Sequence, residues 1–131
     1  MRISRAVQER LAAIQLVVFD VDGVLTEGQI IYTDQGAEAK AFDVKDGLGI
    51  RVASEAGLQV ALMTGRTSQV VQRRGRDLRI TDVLQRVGDK AAALRQLAAG
   101  KEIPLEELPG LLKQVLAVDA ARKAVMEGSP E

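Results

Sequence analysis

The stretch LVVFDVDG, residues 16–23, decides the fold class of this 131-residue chain. Four consecutive apolar residues are typical of a short strand that is buried on both faces of a sheet. The run stops at two aspartates and a glycine, which mark the carboxyl end of the strand. Ligands bind at that end of the strands in open α/β sheets. The stretch therefore predicts a sheet with a polar site where its strands end.

The segments around this strand alternate between the two kinds of secondary structure. Residues 4–14 have apolar side chains at helical spacing and predict a lead-in helix. The turn TDQG, residues 33–36, lies between two short runs at 29–32 and 38–42 and predicts a β-hairpin. The remaining pattern predicts a helix from Asp46-Gly47 to about Ala56, a strand at 58–63, a helix at 67–78, a strand at 80–84 and a helix at 90–99. Strands that alternate with helices imply a parallel α/β sheet with right-handed crossovers.

The pattern changes after Gly100. Pro104 and Pro109-Gly110 interrupt it, and an apolar helical stripe then predicts a C-terminal helix at about 105–126. The length suits a single hydrophobic core, so residues 1–131 are predicted to form one domain, with the hairpin as a flap at about 28–42.

Composition excludes several kinds of chemistry. The chain has no histidine and no cysteine, which rules out a Ser-His-Asp triad, a thiolate nucleophile and a His- or Cys-ligated zinc site. Lys plus Arg equals Asp plus Glu at 18 each, so there is no electrostatic argument for nucleic acid or an anionic membrane as a partner. The lack of cysteine also fits a cytoplasmic location. Catalysis would have to use carboxylates, hydroxyls, Lys, Arg and a hard cation.

Asp20 and Asp22 are the first candidates for such chemistry. Their spacing of two along an extended strand points both carboxylates roughly the same way. Two adjacent carboxylates repel each other unless they share a cation or a proton, and Mg²⁺ suits oxygen ligands beside a phosphate. Asp20 could then attack phosphorus while Asp22 transfers protons. The alternative is a solvated strand end with an ordinary Asp-Gly turn.

The sequence FDVDGVLT at residues 19–26 resembles motif one of the haloacid dehalogenase superfamily. A longer similarity, from about Leu16 to Leu97, is to its capless branch, the 3-deoxy-D-manno-octulosonate 8-phosphate phosphatases. It includes the hairpin, KAFDVKDGLGI at 40–50 and TGR at 64–66. The resemblance implies a Rossmann-like parallel sheet with flanking helices and a β-hairpin flap. It also implies a homotetramer that uses Mg²⁺ to hydrolyse a phosphorylated sugar acid in lipopolysaccharide synthesis.

The resemblance also implies roles for individual residues. Asp20 matches the nucleophile and a magnesium ligand, and Asp22 matches the general acid/base, whose backbone carbonyl binds the metal. Thr64 matches the hydroxyl that holds the phosphoryl oxygens, and Lys90 matches the cation that neutralises nucleophile and phosphate. The alternatives are a helix N-cap at Thr64 and a solvated lysine at position 90.

Three further positions match residues that face the sugar-acid substrate in the family, namely Gly65, Arg66 and Arg74. Arginine suits this role because it can bind a carboxylate through two hydrogen bonds. A glutamate at position 66 would instead indicate the related nonulosonate phosphatases. Arg74 also fits a solvated basic helix face, because it lies within RRGR at residues 73–76.

One family segment has no counterpart in the sequence. The family follows its motif-three lysine with a strand that ends in Gly-Asp-Asp, and these acidic residues complete the magnesium site. Here VGD at 87–89 precedes Lys90, and Asp119 lies within a helical pattern, so the sheet is expected to be truncated on its C-terminal side. A catalytically impaired or inactive oligomerisation domain is therefore the alternative function. A phospho-receiver domain is the third possible function. Such a domain would need its acidic pair and its phosphorylated aspartate on different strands.

Overall fold

A computed structural model describes residues 2–104 of the chain. The helix predicted at about 105–126, and Asp119 with it, lie outside the described residues. The described part is α/β with a parallel sheet, as the alternation of strands and helices predicts. It divides into a first unit, Met1–Gly88, and a second unit that begins at Asp89. The single domain over residues 1–131 stays a prediction.

Eight of the described elements belong to the first unit. In chain order they are α1 (Arg5–Ala12), β1 (Leu16–Phe19), β2 (Ile31–Tyr32), β3 (Glu38–Ala39), α2 (Val44–Glu55), β4 (Gln59–Met63), α3 (Gln69–Asp77) and β5 (Asp82–Leu84). The second unit contains α4 (Lys90–Gly100).

The main sheet has the order β1-β4-β5, and both of its ladders are parallel. Phe19 pairs with Leu62, and Met63 pairs with Leu84, so the three strands end at one edge of the sheet. Strand β1 is half-buried throughout, so the prediction that it is buried on both faces is wrong. Among residues 2–104, β1 has one ladder neighbour, β4, and its other side is left without a strand.

The hydrophobic core of the first unit lies around β4. Residues 60–63 of that strand are buried, and Val60 and Leu62 belong to the core cluster together with Val21, Leu25, Ile50, Val71, Leu78 and Ile80. Gly75 lets α3 pack closely on β5, because a Cβ atom at this position would lie 2.5 Å from Cγ2 of Val83. The core thus fixes the ends of β1 and β4 in place.

Capping side chains set the helix starts. Asp43 accepts a hydrogen bond from the Lys45 N–H at 2.7 Å, so α2 begins at Val44 rather than at Asp46-Gly47 as predicted. Ser68 accepts one from the Val70 N–H at 3.2 Å and starts α3 at Gln69. An N-cap side chain satisfies a backbone donor that has no partner within the helix.

The lead-in helix α1 is present as predicted, but it contains no buried residue. Its apolar residues Val7 and Leu11 are about half exposed. Within residues 2–104, no helix has the length and apolar character needed to cross a membrane.

Candidate active site

The aspartate pair is held by the residue between them. Val21 is fully buried, and its carbonyl oxygen accepts hydrogen bonds from the N–H groups of Val24, Leu25 and Thr26 at 3.2, 2.9 and 3.2 Å. Asp20 and Asp22 flank this anchor and are themselves half-buried. One oxygen of Asp20 accepts a hydrogen bond from the Val21 N–H at 2.8 Å. The carboxylates are therefore placed by a turn that backbone hydrogen bonds hold together.

Thr26 closes the loop that follows the pair. Its hydroxyl oxygen accepts hydrogen bonds from the N–H groups of Gly23 and Gly28 at 3.2 and 3.1 Å. Both glycines have positive φ angles, +83° and +86°, which residues with a Cβ atom rarely adopt. The glycine after the second aspartate is thus required by the backbone of the turn.

Thr64 lies at the end of β4, beside the end of β1. It is 1% exposed. Its backbone N–H donates to the Leu84 carbonyl at 2.9 Å, and its carbonyl accepts from the Val87 N–H at 3.0 Å, so its backbone is bonded to the end of β5 and to the loop that follows. Its hydroxyl oxygen accepts the Arg66 N–H at 3.2 Å. This arrangement presents a buried hydroxyl at the same sheet edge as the aspartates.

The hairpin supplies charged groups to this edge that sequence reasoning did not assign. The Lys40 ammonium donates a hydrogen bond to a carboxylate oxygen of Asp22, and it lies 2.9 Å from Oε1 of Glu38. The Lys40 side chain is 0% exposed. Burial by itself lowers the pKa of Lys40, but the hydrogen bonds and negative charges of Asp22 and Glu38 outweigh it, so the pKa lies above its ordinary value. Lys40 is therefore a buried cation.

Arg66 joins the hairpin to the loop after β4. Its guanidinium donates to the Tyr32 hydroxyl at 3.2 Å and lies 3.5 Å from Oε1 of Glu38. The hydrogen bond with Tyr32 raises the pKa of Arg66, with a smaller contribution from the charge of Glu38. Its Nε atom is buried and has no hydrogen-bond partner within residues 2–104. Buried donors are nearly always paired in folded proteins, so this atom fits a group that accepts a hydrogen bond.

The remaining predicted site residues occupy different surroundings. The Arg74 guanidinium donates to the Asp43 carbonyl at 3.3 Å and lies 5.3 Å from the centre of the Phe42 ring, so it joins α3 to the start of α2. Gly65 is exposed, and a Cβ atom there would lie 3.5 Å from the Val87 carbonyl oxygen. Lys90 is the first residue of α4, in the second unit. The substrate-binding and catalytic roles of these residues stay predictions.

The first unit thus brings Asp20, Asp22, Thr64 and Arg66 to one edge of the sheet. The ligand atoms at this edge are oxygens, which suit Mg²⁺, and Mg²⁺ is commonly held by one or two carboxylates with waters completing its shell. Asp20 and Asp22 therefore fit that ion. Within residues 2–104, no group of three acidic side chains is gathered as a metal site.

Comparison with known proteins finds relatives among the curated phosphatases of sugar acids. The 3-deoxy-D-manno-octulosonate 8-phosphate phosphatase of Yersinia pestis is 39% identical over 100 residues, which cover 76% of this chain and 54% of the relative. That of Haemophilus influenzae is 48% identical over 73 residues, 56% of this chain and 41% of the relative. The chain spans about half the length of the curated relatives it matches. No family model matches the chain.

Solved structures of the same kind of phosphatase also resemble this chain. The crystal structure of 3-deoxy-D-manno-octulosonate 8-phosphate phosphatase from Moraxella catarrhalis, in complex with a magnesium ion, a phosphate ion and KDO, superposes with a TM-score of 0.74 at 41% identity, covering 76% of this chain and 57% of that one. The cobalt-bound enzyme from Haemophilus influenzae gives a TM-score of 0.70 at 39% identity, with 74% and 57% covered.

The fold, the aspartate turn and the relatives together define the class of protein: the chain is homologous to phosphatases of the haloacid dehalogenase superfamily. Within the superfamily it is related to the 3-deoxy-D-manno-octulosonate 8-phosphate phosphatases over about three quarters of its length. The resemblance stated from the sequence is confirmed.

Proposed function

We propose that the chain is a Mg²⁺-dependent phosphatase that hydrolyses a phosphorylated sugar acid, in particular 3-deoxy-D-manno-octulosonate 8-phosphate, through an aspartyl-phosphate at Asp20. One observation carries the proposal. Asp20 and Asp22 flank the buried Val21 at the end of β1, next to the strand that ends at Thr64. The substrate named is that of the relatives.

The two aspartates divide the reaction between them. The Asp20 carboxylate attacks phosphorus, the bond from phosphorus to the sugar oxygen breaks, and that oxygen takes a proton from Asp22. Asp22 then removes a proton from a water molecule, which attacks the aspartyl-phosphate, releases inorganic phosphate and restores the Asp20 carboxylate. The Thr64 hydroxyl holds a phosphoryl oxygen throughout. Lys90 is proposed to neutralise charge on nucleophile and phosphate.

The Asp20 carboxylate and the Asp22 backbone carbonyl would hold Mg²⁺. The bound ion would screen the negative charge of the phosphate from the attacking carboxylate. The chain's own contribution is the orientation of the carboxylate, which the Val21 N–H fixes by a 2.8 Å hydrogen bond.

Arg66 supports a sugar acid as the substrate. Its buried Nε lacks a partner among the described residues, and a substrate carboxylate would supply the acceptor. Gly65 gives a ligand access to the backbone after Thr64, since it has no side chain. Arg74 stays in the proposal as a substrate residue, although its guanidinium is held at the Asp43 carbonyl in the structure.

Phosphate release from 3-deoxy-D-manno-octulosonate 8-phosphate, with and without Mg²⁺, tests the proposal. We expect Mg²⁺-dependent release that Asp20→Asn abolishes, because an amide does not act as the nucleophile. Asp34→Asn is the matched control, since Asp34 is exposed in the hairpin turn, and it should keep the activity of the unaltered chain. Full activity in Asp20→Asn would refute the aspartyl mechanism.

A catalytically impaired oligomerisation domain is the second candidate. It is favoured by the metal site, because no group of three acidic side chains that could hold a metal ion is gathered within residues 2–104. A folded, oligomeric sample that releases no phosphate from any sugar phosphate would support it. Asp20→Asn would then leave the assembly unchanged.

The wider setting is also a proposal. By relationship to the curated phosphatases, we infer a cytoplasmic enzyme of lipopolysaccharide-sugar synthesis that works as a homotetramer. The exposed apolar residues of the hairpin, Ile30, Ile31 and Tyr32, support association with a further copy.

A further inference from the structure

We propose that Lys40 is a positioning residue that holds the Asp22 carboxylate in place, and that Glu38 holds Lys40. This inference rests on the proposed function, because it deepens the role of Asp22 in the same site. Neither hairpin residue takes part in the proposed reaction steps. Their placement gives the hairpin a part in catalysis within its own chain.

The geometry of the hairpin places these residues on one face. Tyr32 and Glu38 are directly opposed in the ladder of β2 and β3, and Lys40 follows Glu38 by two residues. Side chains two apart along an extended strand point to the same face. All three therefore face the strand ends, where Lys40 reaches Asp22 and Arg66 reaches Tyr32.

Burial makes the contact a specific one. The Lys40 side chain is 0% exposed, and the side chains of Asp22 and Glu38 are only 16% and 15% exposed. A buried ammonium that is bonded to two carboxylates has little freedom to move, and breaking a buried pair leaves an uncompensated charge. The Asp22 carboxylate is therefore fixed from the hairpin side, while Val21 fixes its backbone.

Glu38 extends this ion-pair network beyond Lys40. Oε1 of Glu38 is shared between the Lys40 ammonium at 2.9 Å and the Arg66 guanidinium at 3.5 Å. The proposed proton-transfer group and the proposed carboxylate-binding arginine are thus joined through two hairpin side chains. Removal of either side chain should disturb Asp22 more than the overall fold.

Leaving-group dependence distinguishes positioning from a general structural role. The value of kcat/KM includes only steps up to departure of the leaving group. An alkyl phosphate such as 3-deoxy-D-manno-octulosonate 8-phosphate needs its leaving oxygen protonated, whereas p-nitrophenyl phosphate does not. We expect Lys40→Met to lower kcat/KM for the alkyl phosphate by about tenfold or more, and for p-nitrophenyl phosphate by a much smaller factor.

Two further variants complete this comparison. Lys45→Met is the matched control, because the Lys45 side chain is 90% exposed, and both substrates should react at unchanged rates. Glu38→Gln removes one of the two carboxylates that hold Lys40, and it should show the same substrate pattern with a smaller loss. It also serves if Lys40→Met does not fold. Equal losses on both substrates, or no loss, would overturn the proposal.

A double-mutant cycle on stability decides the inference independently of turnover. The free energies of unfolding of Lys40→Met, Asp22→Asn and the double variant are compared with that of the unaltered chain. We expect non-additive changes, because either single substitution already removes the contact between Lys40 and Asp22, and the double variant loses it only once. Additive changes would refute the pair. If the unaltered chain turns over neither substrate, the proposed function fails, and this cycle alone decides the role of Lys40.

Discussion

Val21 is the residue on which the site most depends. Its side chain is buried in the core while its carbonyl accepts three backbone hydrogen bonds. Its two neighbours, Asp20 and Asp22, are only half-buried, so their carboxylates stay outside the core. The site residues next to Val21 are therefore held in place as firmly as the core, because packed interiors tolerate little displacement.

The sequence predicted this part of the site because its signal is local. The spacing of Asp20 and Asp22 after an apolar strand, and of Thr64 and Arg66 after another, depends only on where two strands end. Lys40 could not be assigned in the same way. It lies 18 residues from Asp22, and their contact depends on how the hairpin folds back. The one available signal was Glu38 and Lys40, two charges on the same face of a short strand.

Gly75 supplies a prediction at the residue scale. We expect Gly75→Ala to lower the free energy of unfolding by about 1–3 kcal/mol, since the new Cβ would lie 2.5 Å from the stiff Val83 side chain. Gly49→Ala is the control within another helix, because no atom lies within 4 Å of its added Cβ. That variant should be more stable by about 0.5–1 kcal/mol. Urea unfolding measures both, and a stabilised Gly75→Ala would contradict the close packing of α3 on β5.

At the scale of elements, periodicity predicted the order of strands and helices. The starts and ends were less predictable, because capping side chains and tertiary contacts determine them. The hairpin strands were expected at 29–32 and 38–42, yet their ladder is only Ile31–Tyr32 with Glu38–Ala39. The chain leaves the ladder where the Lys40 side chain turns towards Asp22.

Asp43 allows a test of the start of α2. Asp43→Ala removes the acceptor for the Lys45 N–H, and we expect a loss of about 1 kcal/mol in the free energy of unfolding. Asp43→Asn should lose far less, because asparagine caps helices about as well as aspartate. Thermal and urea unfolding of both variants provide the measurement. Equal losses would show that the charge of Asp43, rather than its hydrogen bond, stabilises the helix.

At the scale of the whole molecule, sequence patterns described two features least well. These are the unpaired side of β1 and the exposed apolar residues. An apolar run such as residues 16–19 predicts burial, but it does not say which element covers each face. Within residues 2–104 the strand is half-buried, and Val44, Leu48 and Val52 on α2 are 82%, 65% and 59% exposed. Extended apolar surface of this kind is typical of interfaces.

The proposed homotetramer gives the last prediction. Ile31 lies on β2 next to Tyr32, so alternation turns it away from the face that carries Tyr32 and Glu38, and it is 45% exposed. If hairpins associate through this outer face, Ile31→Lys places a charge in an apolar contact and should shift the tetramer to smaller species in sedimentation velocity. Val7→Lys is the matched control, since Val7 on α1 is also 45% exposed but lies outside the hairpin. A tetramer that survives Ile31→Lys and is dispersed by Val7→Lys would place the interface on α1. A monomer for the unaltered chain would refute the tetramer.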